Sequence, residues 1–168
     1  MMRYVRDNPL RLWVKQQQPE RFHVISGIEV DGHPVSVMGN LFLLDAPEFV
    51  FVQCSRRLTT DEIQRQCAQA LCCGGRGAVL ISACISPGEK FIMQAAFEMG
   101  YPVILLLENG FAPRQKPAGR QFQACAEGRL LLVAPWPHHN DRRPITRTPC
   151  LALNALAQAI SQRKVKRP

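Results

Sequence analysis

The sequence lacks the short motifs that identify the commonest nucleotide-binding and hydrolytic enzymes. It contains neither Gly-x-Gly-x-x-Gly nor a P-loop, which argues against a dinucleotide-binding fingerprint and against a P-loop nucleotidase. Gly74, Gly75 and Gly77 precede an apolar run and predict a helix-to-strand turn. No serine stands at a nucleophile elbow, and His138 and His139 lie together, so no Ser–His–acid triad can be assembled. We therefore expect no catalytic residue, and an enzyme is the less favoured class.

Paired and clustered metal ligands are also missing. None of the seven cysteines forms a Cys-x-x-Cys pair, and most of them lie within apolar or helical patterns. Neither Cys72-Cys73 nor His138-His139 has the spacing of a zinc finger. Free cysteine packs like a small hydrophobic residue, so the pattern predicts buried, reduced thiols. We expect no metal and no cofactor.

Long apolar runs and aromatic residues are scarce. No uninterrupted apolar run approaches the roughly 20 residues of a membrane span, and residues 1–15 lack the apolar block of a signal peptide. We therefore expect a cytoplasmic protein with no membrane partner. Aromatic residues make up 7% of the chain, and only Phe111 and Trp136 lie in predicted loops where they could stack on bases.

Positive charge, by contrast, is in excess. The formal net charge of +8 favours polyanions, of which nucleic acid is the commonest in the cytoplasm. The alternative is a solubilising surface with a basic tail. Arg163, Lys164, Lys166 and Arg167 supply half of the excess within the last six residues.

Residues 79–107 carry the clearest structural pattern. Two continuous apolar runs flank an apolar-striped segment, which is typical of a βαβ unit whose parallel strands are covered on both faces. Ser86 fits a helix N-cap, Pro87 the first helical position, and Glu89 the acidic position of a capping box. A ligand is expected at the loop that precedes this helix.

The rest of the chain extends this unit into one domain. Residues 22–38 predict a β-hairpin around the turn Asp31-Gly32, and further strands and helices then alternate to about residue 162. The expected fold is α/β, a Rossmann-like three-layer domain with a mostly parallel sheet and an N-terminal β-hairpin. We divide the chain into an N-terminal arm (1–20), a single domain (21–162) and a basic tail (163–168).

Ligands of such sheets bind outside the carboxyl ends of the strands. Three predicted loops meet there, at residues 54–58, 83–88 and 135–147. Their hydroxyl groups, guanidinium groups and helix-start N–H groups are donors that suit a phosphate. The candidates are Ser55, Arg56, Arg57, Ser82, Ser86, Gly88, Lys90, Arg142, Arg143, Thr146 and Arg147. Each arginine taken alone is better explained as a solvated side chain, so the prediction rests on their concentration.

Four segments resemble the DNA-processing protein A family (DprA/Smf) and, more broadly, the SLOG group of Rossmann-like nucleotide-binding domains. Residues 51–56 (FVQCSR) are similar to its strand ending in Gly-Ser-Arg, and residues 81–89 (ISACISPGE) to its Ser-Gly-Gly-Ala-Arg-Gly-Ile-Asp loop. Residues 128–135 (GRLLLVAP) resemble its glycine-led strand ending near proline. Asn154 matches the asparagine of its Arg-Asn-Arg helix. The resemblance runs from about residue 39 to 160.

The resemblance implies a fold and a partner. In that family these loops bind single-stranded DNA, which the protein hands to a recombinase, so single-stranded DNA and a recombination protein are the implied partners. Asn154 joins the candidate ligand-binding residues on this ground alone. Cys54, Ala83 and Cys84 replace family glycines, and non-arginine residues flank Asn154, which marks a divergent, stand-alone relative.

Three functional hypotheses remain. The first is a non-enzymatic module that binds single-stranded DNA or a nucleotide through a basic crevice. The second is an enzyme acting on a nucleotide or a nucleotide-derived small molecule, with Ser86 and Glu89 lining its pocket. The third is a scaffold that forms homodimers or larger oligomers through exposed apolar helix faces.

Overall fold

The computed structural model describes residues 2–141 and 144–163, with only the backbone for residues 2–8 and 10. Arg142, Arg143 and most of the predicted basic tail therefore lie outside the described residues. The strands are β1 (Ile25–Val30), β2 (His33–Gly39), β3 (Phe49–Phe51), β4 (Val79–Ser82), β5 (Val103–Leu106) and β6 (Leu130–Ala134). The α-helices are α1 (Met2–Gln17), α2 (Thr60–Gly75), α3 (Pro87–Glu98), α4 (Gly119–Ala126) and α5 (Arg147–Ser161).

The six strands form one sheet in the order β1-β2-β6-β5-β4-β3. β3, β4, β5 and β6 are parallel, whereas β1 and β2 form an antiparallel hairpin joined to β6. The predicted fold class, a mostly parallel α/β sheet with an N-terminal hairpin, is confirmed. The continuous apolar runs arise because neighbouring residues bury opposite faces: Leu80 packs in one core, and Val79 and Ile81 pack in the other.

The helices divide unequally between the two faces. Each crossover from β3 to β6 moves one strand in the same direction, so right-handed connections place α2, α3 and α4 on one face. Their core includes Cys67, Ile92 and Phe122. Among the α-helices of the described ranges, α5 alone covers the opposite face, where Leu153 and Ile160 are fully buried. The third layer of the domain is therefore this last helix, since the hairpin belongs to the sheet.

The path of α5 positions the crevice. After β6 the chain crosses the sheet and begins α5 at the carboxyl edge, and the helix then packs against β3 and β4. The loops leaving β3 and β4 turn towards the other face to begin α2 and α3. A gap opens between these loops and the start of α5, for the same reason that ligand clefts form where connections diverge to opposite faces.

Residues near the N-terminus form a helix that the sequence pattern does not predict. The Arg11 guanidinium lies 4.3 Å from the Phe122 ring centroid and the Lys15 ammonium 5.4 Å from it. Phe22 stacks on the same ring at 4.9 Å between centroids. Cations that pack on an aromatic ring leave no apolar period in the sequence. Over the described residues, the structure contains no helix long and apolar enough to cross a membrane.

Candidate nucleic-acid interface

The candidate site is a crevice at the carboxyl edge of the sheet, with a volume of about 390 Å³. Its walls are the loop from β3 to α2, the loop from β4 to α3, and the start of α5. It is lined by Gln53, Cys54, Arg56, Ile85, Ser86, Glu89, Ile145, Thr146, Arg147, Cys150 and Asn154.

Five of the residues proposed from the sequence line this crevice together: Arg56, Ser86, Thr146, Arg147 and Asn154. Arg56 comes from the β3–α2 loop and Arg147 is the first residue of α5. Both side chains are exposed, and neither is ion-paired to a carboxylate in the described part of the chain. Two guanidinium groups approach the crevice from opposite faces of the sheet and are available to bind an anion.

Ser55 and Arg57 belong to the same loop as Arg56 but do not line the cavity. Both are exposed, and the Ser55 hydroxyl accepts a hydrogen bond from the Arg57 backbone N–H at 3.2 Å. Ser55 thus stabilises the turn that presents Arg56. These two residues thus flank Arg56 in the chain without lining the crevice.

Ser82, Gly88 and Lys90 also lie outside the crevice. Ser82 is fully buried, and its hydroxyl accepts a hydrogen bond from the Cys84 N–H at 3.1 Å. Gly88 packs against the β3–α2 loop, because a Cβ there would lie 3.1 Å from the Cβ of Cys54. Lys90 lines a separate cleft between α3 and α4, together with Arg120. The structure therefore does not bring these three residues together with Arg56 and Arg147.

Glu89 organises the crevice. Its side chain is 2% exposed, and one carboxylate oxygen accepts the Cys54 N–H at 3.0 Å. The other oxygen accepts the N–H groups of Ile85 at 2.7 Å and Ser86 at 3.2 Å. The Ser86 hydroxyl accepts the Glu89 N–H at 3.2 Å, which completes the predicted capping box. The bond to Cys54 is the contact that sequence reasoning missed, since it requires β3 and β4 to be neighbours.

This arrangement limits what the loops themselves can bind. Backbone N–H groups that converge at the end of a strand often hold a phosphate, but here a carboxylate of the chain already occupies three of them. The charged groups that line the crevice beside this carboxylate are Arg56 and Arg147. The three N–H groups at its floor are already hydrogen-bonded.

Asn154 contributes an unusual acceptor. Its side-chain oxygen is buried and has no hydrogen-bond partner, which is uncommon for a buried polar atom. The flanking residues do not share the crevice: Leu153 is fully buried in the core, and Ala155 lines a different cavity beside the hairpin. A ligand or a water molecule in the crevice could donate a hydrogen bond to Asn154.

Two cysteines of the β3–α2 and β4–α3 loops, Cys54 and Cys84, are poor nucleophiles. Burial, with smaller effects of Glu89 and Cys67, raises the pKa of the Cys54 thiol, which donates a hydrogen bond to Gln66. Burial raises the pKa of the Cys84 thiol to about 11. Both thiols are protonated at neutral pH and lack the thiolate that nucleophilic catalysis needs. Across residues 2–141 and 144–163, no group of three or more His, Cys, Asp or Glu side chains is placed to hold a metal.

Cys84 adopts a left-handed backbone conformation, with φ of 51°, where glycine is favoured. We expect Cys84→Gly to be more stable than Cys84→Ala by about 1 kcal/mol, because both variants lose the thiol and only glycine removes the strain. Urea denaturation of the two variants measures the difference. Equal stabilities would show that the surrounding loop relaxes around alanine.

The fold and the crevice together define a class: a Rossmann-like α/β domain with a cleft, lined in part by two arginines, at the carboxyl edge of its sheet. No model of a known protein family matches the sequence, and no curated protein matches it. Among solved structures, the chain is similar to DNA processing protein A from Helicobacter pylori, a protein that binds single-stranded DNA. The TM-score is 0.58 and the sequence identity 20%, over 84% of this chain.

The likeness to DNA processing protein A establishes the fold. The chain spans 66% of the length of that protein, slightly less than two thirds, so part of the neighbour has no counterpart in the aligned region. The fold expected from the resemblance of residues 39–160 is thus found in the structure. At 20% identity the likeness shows the fold alone, and DNA binding is a property of the neighbour.

Proposed function

We propose that this chain is a non-enzymatic module that binds single-stranded DNA or a nucleotide through the basic crevice. The observation that carries the proposal is the pair Arg56 and Arg147, whose unpaired guanidinium groups line one crevice from two faces of the sheet. Planar guanidinium groups match the geometry of phosphate oxygens. The fold of a protein that binds single-stranded DNA supports the same conclusion.

The interior of the crevice supports binding rather than catalysis. Glu89, the one carboxylate lining it, is fixed by three backbone N–H groups and is not free to act as a base. The Cys54 thiol has a raised pKa and is hydrogen-bonded to Gln66. An enzyme acting on a nucleotide would need a positioned acid, base or nucleophile, and neither Glu89 nor Cys54 supplies one. We propose that the protein acts in the cytoplasm as a divergent relative of the DNA-processing family.

The test is an anisotropy titration of a fluorescent single-stranded oligonucleotide at several salt concentrations. We expect Arg56→Ala combined with Arg147→Ala to weaken binding by about tenfold at low salt. It should also flatten the dependence of log K on log salt by about 1.4, since each lost phosphate contact on a single strand contributes roughly 0.7. Both effects follow from the loss of two phosphate contacts.

The matched control is Arg76→Ala combined with Arg163→Ala. Arg76 and Arg163 follow the last turns of α2 and α5, at the opposite edge of the sheet. Replacing them removes the same charge as replacing Arg56 and Arg147. The control should retain most of the affinity. An equal loss in both double variants would indicate diffuse attraction to a basic protein, and the absence of binding at low salt would disprove the proposal.

A further inference from the structure

A second cavity, of about 470 Å³, adjoins the crevice. It lies beyond the carboxyl ends of β5 and β6, and Ile145 and Thr146 line both cavities, so the two cavities are neighbours. Its volume is within the range of small-molecule sites. The lining residues are Glu108, Asn109, Trp136, His139, Asp141, Pro144, Ile145, Thr146 and Pro149.

Hydrogen bonds between two loops fix the shape of this cavity. The Asn109 side chain donates to the His139 carbonyl at 2.9 Å and accepts the His139 N–H at 3.0 Å. The His138 ring contacts the Gly110 carbonyl at 3.1 Å. These bonds join the loop after β5 to the loop after β6. The cavity therefore exists before a ligand arrives, which lowers the entropy lost on binding.

The surfaces of the cavity suit a nucleobase. Trp136 is half-buried, packs against the core beneath α5, and lines both this cavity and the one beside the hairpin. Ile145 and Pro149 add apolar surface beside it. The flat face of any nucleobase gains favourable contacts with an indole surface.

Charge distinguishes the two neighbouring cavities. Arg56 and Arg147 line the crevice, whereas two acidic residues, the exposed Glu108 and Asp141, line the second cavity. A phosphodiester group is attracted to the arginines and repelled by Glu108, so a bound nucleotide has a preferred direction. A carboxylate can also accept hydrogen bonds from the exocyclic amino group of cytosine, and in the same way from those of adenine and guanine, whereas thymine has no such group.

We propose that this second cavity is a base-binding subsite for one nucleobase that carries an amino group. The inference rests on the proposed function, because the phosphate of the same nucleotide binds at Arg56 and Arg147. The base packs against Trp136, and Glu108 accepts a hydrogen bond from its amino group. Cytosine, adenine and guanine are therefore bound in preference to thymine.

The chain offers a direct optical test, since it contains two tryptophans and Trp13 lies on α1. In a Trp13→Phe background Trp136 is the sole tryptophan. Titration with oligo(dC) should quench its fluorescence, and an abasic oligonucleotide of equal length should bind without quenching. Trp136→Ala should weaken oligo(dC) binding roughly tenfold, and Trp136→Phe should restore most of the loss.

Selectivity is tested with Glu108→Ala, which removes the acceptor oxygens at an exposed position with little effect on folding. The parent should bind oligo(dC) about tenfold more tightly than oligo(dT), and the variant should lose most of this preference. Salt-dependent binding that requires Arg56 and Arg147 but leaves Trp136 unquenched would overturn the base subsite and leave the proposed function intact. Equal binding of oligo(dC) and oligo(dT) would overturn the amino-group selectivity, and a failure of every oligonucleotide to bind would overturn both proposals.

Discussion

Replacing Glu89 with glutamine is expected to lower the free energy of unfolding by about 3 kcal/mol. The two carboxylate oxygens accept three backbone N–H groups, from Cys54, Ile85 and Ser86, in a buried position. Glutamine keeps the volume but has one acceptor oxygen. In either orientation its NH₂ group faces at least one backbone donor, so an N–H group loses its partner without gaining water.

The matched control is Glu62→Gln in the second capping box of the chain. Glu62 accepts the Thr59 N–H at 2.7 Å and the Thr59 hydroxyl at 2.9 Å at the start of α2, in an exposed position. Water can replace these bonds, so the effect should be far smaller. Urea denaturation followed by circular dichroism compares the two variants. Similar losses would mean that the bond to Cys54 adds nothing beyond ordinary helix capping.

Gly110→Ala is expected to lower the free energy of unfolding by about 3 kcal/mol through overpacking. A Cβ at this position would lie 2.3 Å from the His138 nitrogen and 2.4 Å from the Trp136 carbonyl oxygen. Both are backbone atoms, so the loop after β6 must move to accept the methyl group. Gly110 has no left-handed φ, so the requirement for glycine is one of space.

Gly75→Ala provides the corresponding control. Gly75 is exposed at the end of α2, and a Cβ there would approach only the Tyr101 ring, with the hydroxyl oxygen at 3.3 Å. Alanine favours helix over glycine by about 1 kcal/mol, so this variant should be neutral or slightly stabilised. The same denaturation experiment serves both glycine variants. Unchanged stability of Gly110→Ala would show that the loops bordering the base cavity are not locked together.

The sequence predicted the secondary structure near the crevice well, because the signals there are local. β4 and β5 are buried on both faces and so appear as unbroken apolar runs. Ser86 and Glu89 form the capping box that their spacing predicts. The helix over Met2–Gln17 was not predicted, since it packs through Arg11 and Lys15 on an aromatic ring rather than through an apolar stripe.

The residues that line the crevice were harder to predict, because a loop sequence does not give the direction of each side chain. Glu89 and Lys90 are neighbours in α3, but successive helical residues are rotated by about 100°, so Glu89 lines the crevice and Lys90 lies in another cleft. Ser82 ends β4 with its side chain buried. Spacing in a sequence can place residues at the same edge of a sheet without placing them in the same cavity.

By itself, the sequence determined the order of strands and helices from the hairpin onwards, the cap of α3, and an excess of positive charge near the predicted carboxyl edge. These properties depend on residues close together in the chain. The tertiary structure decided which of the positive groups meet. Because α5 crosses beneath the sheet to β3 and β4, Arg147 comes to the crevice that Arg56 lines, and the loop after β6 brings Trp136 to the adjoining cavity.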